Sequence, residues 1–136
     1  MSSISRKLRR NARRQKGSAA KASDHQPLMS EVLVDVAYPL IGSLRLPDHE
    51  VEYRFALDLA SVLWSVSRVP DDAQRQRLLE EILHPKAGPL EPEAFDALVA
   101  VYKRAWERHP REKRMILGVH FYQKPDGRYH IDVASV

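Results

Sequence analysis

The chain contains no cysteine. That removes disulfide frameworks and thiolate metal sites, and it suits a reducing compartment. No apolar run approaches the ~18 residues of a membrane span, and no apolar stretch follows the basic N-terminus as a secretory signal requires. A cytoplasmic protein is therefore expected. Glycine is sparse, five in 136 residues, and none of it forms a phosphate-cradling loop. Neither a nucleophile elbow nor a helix bearing His-Glu-x-x-His occurs, so the sequence leans away from an enzyme. No cofactor is expected.

Acid is missing from the first 21 residues, which hold eight of the 22 basic residues of the chain. Residues 22–136 keep 14 basic and all 18 acidic residues, a net of −4, against +8 on the arm. Such asymmetry points to a polyanionic partner. Seven of the cations, Arg6, Lys7, Arg9, Arg10, Arg13, Arg14 and Lys16, lie within residues 6–16. Five of these are arginine, whose planar fork binds phosphate bidentately and stacks on bases as lysine does not. No proline or glycine occurs before Gly17, so this stretch can turn helical once phosphates neutralise its repulsion. In composition it resembles the arginine-rich peptides with which some viral and phage proteins bind RNA hairpins. That resemblance implies an RNA partner rather than DNA, and it covers the arm alone. The blander readings of the arm are a solvated tail or an organelle-targeting segment.

Gly17 to Ser23 is small and polar, as in a flexible linker. Residues 1–26 thus read as a disordered arginine-rich arm and linker, and 27–136 as one compact domain. The domain reads as mostly helical α+β, about four helices followed by a C-terminal β-hairpin. Met29, Val32, Leu33, Val36, Ala37, Leu40, Ile41 and Leu44 mark a helical stripe, starting after Ser30 and kinked or interrupted at Pro39. A strand over part of residues 29–44 is the competing reading, because Val32, Val34 and Val36 alternate.

The second helix, capped by Asp48, carries two apolar stripes. Val51, Phe55, Leu59, Val62 and Val66 form one; Tyr53, Leu57, Ala60 and Trp64 form the other. It is therefore expected in the middle of the domain, covered on two sides. Pro70, with Asp71 and Gln74 as a capping box, separates it from a short helix ending near His84. Pro92 opens a fourth helix, whose core stripe is Phe95, Leu98, Val99, Tyr102 and Trp106. Beyond Pro110 the period changes to two. Lys124-Pro125-Asp126-Gly127 reads as a hairpin turn that pairs Tyr122 with His130 and His120 with Asp132. That register puts Leu117, Val119, Phe121, Tyr129, Ile131 and Val133 on the covered face.

Three functional readings follow. The first is a small nucleic-acid-binding accessory or regulatory protein using Arg6, Lys7, Arg9, Arg10, Arg13, Arg14 and Lys16. A secondary contact surface would be Arg108, Arg111, Lys113, Arg114, Tyr122, Lys124 and Arg128, with Tyr122 stacking and the cations on phosphates. The second is a regulatory or inhibitory adaptor whose acidic helical domain binds a protein partner; an exposed apolar patch containing Trp64 or Trp106 would favour it. The third is a small metalloprotein or enzyme on the hairpin, where His120, His130 and Asp132 could offer two imidazoles and a carboxylate to one metal. Polar alternation on a half-buried hairpin is expected without any such role.

Overall fold

The computed structural model describes residues 27–136. The arm, its expected disorder and its seven basic candidates lie outside the described residues. Four helices are followed by an antiparallel hairpin, the expected α+β order: α1 (Met29–Ile41), α2 (Glu50–Ser67), α3 (Asp72–Leu83), α4 (Pro92–Arg108), β1 (Ile116–Gln123) and β2 (Tyr129–Ser135). Helices α1, α2 and α4 pack on one another. The hairpin lies across the first two, with β1 on α2 and β2 on α1.

Residues 29–44 resolve into a helix that begins at Met29, one residue before Ser30, and runs past Pro39 to Ile41. Proline deprives the carbonyl four residues earlier of its helical donor. Here that carbonyl belongs to Asp35, and Arg104 Nε donates to it at 2.8 Å. A cation from α4 therefore replaces the missing bond, and the helix continues. Val32, Leu33, Val34, Val36 and Ala37 are all buried, though Tyr38 is exposed, which makes α1 the element covered over more than half its circumference.

That finding corrects the expectation for α2. Its stripe of Tyr53, Leu57, Ala60 and Trp64 is buried as expected, but Val51, Phe55 and Val62 are exposed. Val66, at the far end of that stripe, is buried and Leu59 is half-buried, with α3 packed against α2. The exposed part has no other element of the described residues over it. Asp48 is not the cap either. The residue before the helix is His49, which makes no side-chain cap, and its Nδ1 instead accepts from the Arg45 backbone N–H at 2.9 Å. Helix α3 starts as read, with the Asp71 carboxylate accepting from the N–H groups of Ala73 and Gln74. None of its residues is fully buried, so it lies on the periphery.

Pro92 occupies the first turn of α4. The buried line there is Leu98, Val101 and Ala105, and Trp106 is 39% exposed rather than core. Small Ala105 sits in the interior, and the bulky ring next to it is left at the surface.

The hairpin pairs in the expected register, Tyr122 with His130 and His120 with Asp132. Gly127, at φ +88°, takes the left-handed turn position that only glycine adopts freely. Phe121, Tyr129 and Ile131 are buried, with Phe121 stacked between Tyr53 and Tyr129 at 5.0 and 5.3 Å between ring centres. Leu117 departs from the expected face. A register shift between Ile116 and Gly118 turns it outward and puts Ile116 into the core instead.

Candidate functional site

Arg68 closes α2, and its guanidinium reaches across to the end of α4. Nη1 donates to the carbonyls of His109 and Glu112 at 2.9 and 2.8 Å, Nη2 donates to that of Ala105, and Nε donates to Ser67 Oγ at 3.0 Å. These carbonyls include the unpaired ones that end α4, where a cation also suits the helix dipole. The same guanidinium lies over the Trp64 ring at 4.0 Å and near that of Trp106 at 5.1 Å. Burial pushes the Arg68 pKa down, opposed by the negative charge of Glu112. Arg75, from α3, approaches Trp106 at 5.4 Å.

The result is an open groove of about 610 Å³. Its apolar wall is Val69, Pro70, Trp106, Pro110, Met115 and Val136; Arg68, Arg75, Lys113 and Glu112 are its charged members. Glu112 does not leave the rim acidic, because Arg114 Nε holds its carboxylate at 2.7 Å. That hydrogen bond keeps the Glu112 carboxyl below its usual pKa, against the opposing effect of burial. The groove is thus an apolar trough rimmed by Arg68, whose donors hold backbone carbonyls, by Arg75, which is paired with Asp72, and by exposed Lys113. Val69 and Met115 carry it into a shallower groove of about 300 Å³ beside Val62 and Leu117.

A second cluster ties α1 to α4. The Asp35 carboxylate, 13% exposed, accepts from Arg104 at 3.0 Å and Arg108 at 2.7 Å and lies 2.7 Å from His109 Nε2. Burial opposes its charge, yet the bonds from His109 and Arg108 and the charges of both arginines outweigh that and hold its carboxyl far below the ordinary range.

These contacts divide the secondary candidates. Arg108 is engaged by Asp35, and Arg114 by Glu112 and the Pro27 carbonyl at 2.6 Å. Arg111 and Lys113 are exposed in the loop between them. Lys124 and Arg128 stand at the hairpin tip, Arg128 paired with Asp126 at 3.0 Å. The eight residues of β1 separate the loop from the tip, about 25 Å of strand, so they are two basic spots and not one surface. Tyr122 lies on the hairpin's outer face in ring contact with His120 at 4.6 Å and His130 at 5.8 Å. Burial and its hydrogen bond to Asp132 push its phenol pKa up. Burial and the Lys124 charge push that of His130 down.

His120 is the cross-strand partner of Asp132, but Tyr122 fills the place beside both imidazoles. Among the described residues no group of three or more His, Asp or Glu side chains is gathered to hold a metal. Sequence reasoning missed Arg68, Asp35 and Arg104. Each looked like an ordinary polar residue of a helix, and only the meeting of distant helices gives it partners. Among the described residues no helix is long and apolar enough to cross a membrane. Compared with known proteins, the chain matches no family model, no curated protein and no solved structure.

Proposed function

We propose that the folded domain is a protein-docking module, with its binding site in the groove at Trp106. The partial exposure of that ring in the wall of an apolar trough carries the reading, because a Trp lining a concave apolar surface is a frequent anchor of a protein interface. Exposed Lys113 at the rim, beside the internally engaged Arg68 and the Asp72-paired Arg75, favours a segment that offers apolar side chains together with a carboxylate. The body as a whole is acidic, but this face is not.

The arm adds a second binding activity to this reading. Its seven cations between Arg6 and Lys16 suit phosphates, RNA before DNA, and the described residues begin at Pro27, whose carbonyl is bonded by Arg114. Nucleic acid held by the arm would thus arrive beside exposed Arg111 and Lys113. An adaptor that brings an acidic protein segment to nucleic acid combines both features.

The test is affinity purification of tagged full-length protein, an arm-deleted form, and Trp106→Ala and Lys113→Glu variants, each with and without nuclease. The groove variants should lose a nuclease-resistant protein partner while keeping nucleic acid, and arm deletion should do the reverse. Groove variants that retain every partner would refute the docking role.

A further inference from the structure

The uncovered side of α2 has its own pattern. Val51, Phe55 and Val62 are 76, 64 and 50% exposed, and exposed Asp58 lies among them. At about 100° per residue the four fall within about 60° of arc. Arg54, which lies 3.6 Å from the Glu50 carboxylate one turn earlier, borders this stripe on the flank that carries the hairpin.

Helix and strand run antiparallel along that flank. Near one end Arg54 lies over the Phe121 ring at 5.6 Å, and Tyr53 stacks on it. Near the other, Ser65 Oγ bonds the N–H and carbonyl of Ile116 at 3.0 and 3.1 Å. The spans match: the eleven rises of helix from Arg54 to Ser65 and the five of strand from Ile116 to Phe121 each cover about 17 Å. The exposed stripe therefore lies alongside the outer edge of β1.

Among the described residues no strand lies beside that edge. The sheet they form has two strands, and Lys124 bonding Arg128 at one end with Met115 bonding Val136 at the other fixes which residues bond across. By the alternation of an antiparallel ladder, Gly118, His120 and Tyr122 turn their backbone groups toward β2. The N–H and C=O groups of Val119, Phe121 and Gln123 face outward and take no partner among the described residues. Residues Ile116–Gln123 include no proline and no charged residue, two of the devices that protect an edge; the bulge between Ile116 and Gly118 breaks the edge only at its start.

We propose that a second copy of this chain docks here, edge to edge along β1 and side to side along α2, about one two-fold axis. The stripe is self-complementary. A two-fold axis beside residues 56 and 57 of an antiparallel α2 pair places Val51 against the partner's Val62. It also brings Arg54 within about one residue's rise of the partner's Asp58, and places the two Phe55 rings near the centre. Both contacts occur twice, as an isologous interface requires. The strand edge shares the same centre. Residue 56 of α2 lies level with about His120, and an axis there pairs Val119 with the partner's Phe121, two residues whose backbone groups both face outward. The two hairpins then form one four-stranded sheet, and each open edge is satisfied by its copy.

The experiment is light scattering with size-exclusion chromatography on nuclease-treated full-length protein at micromolar concentration, with circular dichroism to verify folding. The expected result is a dimer. Phe55→Glu should weaken it at least about 100-fold, since it puts two carboxylates at the axis. Arg54→Asp and Asp58→Arg should each weaken it, and the double variant should restore it, because the exchange recreates both cross-pairs. A monomer at 100 µM would overturn the proposal, as would a dimer indifferent to Phe55→Glu. Failure of the double variant to rescue would overturn the assigned register and the proposal with it.

Discussion

Replacing Arg68 with lysine keeps the charge and removes the fork. The arginine satisfies three carbonyls, those of Ala105, His109 and Glu112, and one hydroxyl. A lysine ammonium in the same half-buried place can hold one of those carbonyls well, which leaves two without their charged donor. A hydrogen bond to a charged group is worth about 1.5–3 kcal/mol. Water at the open groove recovers part of that, so the two lost bonds cost about 2–3 kcal/mol together. Losing the stacked guanidinium over Trp64 adds about 0.5–1 kcal/mol. The total is about 3 kcal/mol, or roughly 10 °C in Tm for a domain of this size. Urea unfolding followed by tryptophan fluorescence, with circular dichroism in parallel, measures it directly. Arg68→Met should be no better, because it relieves the buried charge but leaves all three carbonyls unpaired. If Arg68→Lys costs less than about 0.5 kcal/mol, the guanidinium does not hold α4 to α2 and the groove does not depend on it.

Further outcomes follow from the packing of the domain and from the charge of the arm. Asp35 has a depressed pKa in the folded state, so its contribution is present above the unfolded carboxylate value of about 3.9 and fades as pH falls below that. The urea stability of Asp35→Asn should therefore trail the parent by about 2 kcal/mol at pH 6, and the gap should narrow at pH 3. Phe121→Ala empties the place between Tyr53 and Tyr129 and should cost about 3–5 kcal/mol in the same assay. The buried Tyr129 hydroxyl has no hydrogen-bond partner among the described residues, so Tyr129→Phe should leave Tm unchanged or raise it slightly; a clear drop would mean the hydroxyl is satisfied. Deleting residues 1–22 should leave Tm within a few degrees. For single-stranded RNA bound by about four to six arm cations, log affinity against log salt should slope near −3 to −4, and deletion should abolish that binding.

Local signals were enough to read most elements. Proline at 70, 85, 92 and 110 divided the helices, Asp71 marked one start, and Pro125-Asp126-Gly127 with its alternating flanks determined the hairpin's register. The misreadings share one cause. Periodicity tells that α2 has two apolar stripes, but not that other elements cover only one of them. Nor does it tell that the stripe of α4 is centred on Val101 rather than on Trp106. In the same way, alternation placed Leu117 inside, and a bulge that depends on how β1 meets Ser65 turned it out.

The sequence by itself determined the two-part charge of the chain, the helical body, and the pairing of His120 with Asp132, since each depends on residues near one another along the chain. Only the tertiary structure decided what those residues do together. It showed that Pro39 is tolerated because Arg104, 69 positions from Asp35, supplies the missing donor. It also showed that Arg108 and Arg114 are engaged internally while Lys113 is exposed. The groove at Trp106 and the bare face of α2 arise where elements distant in sequence meet or fail to meet, and no local pattern records that.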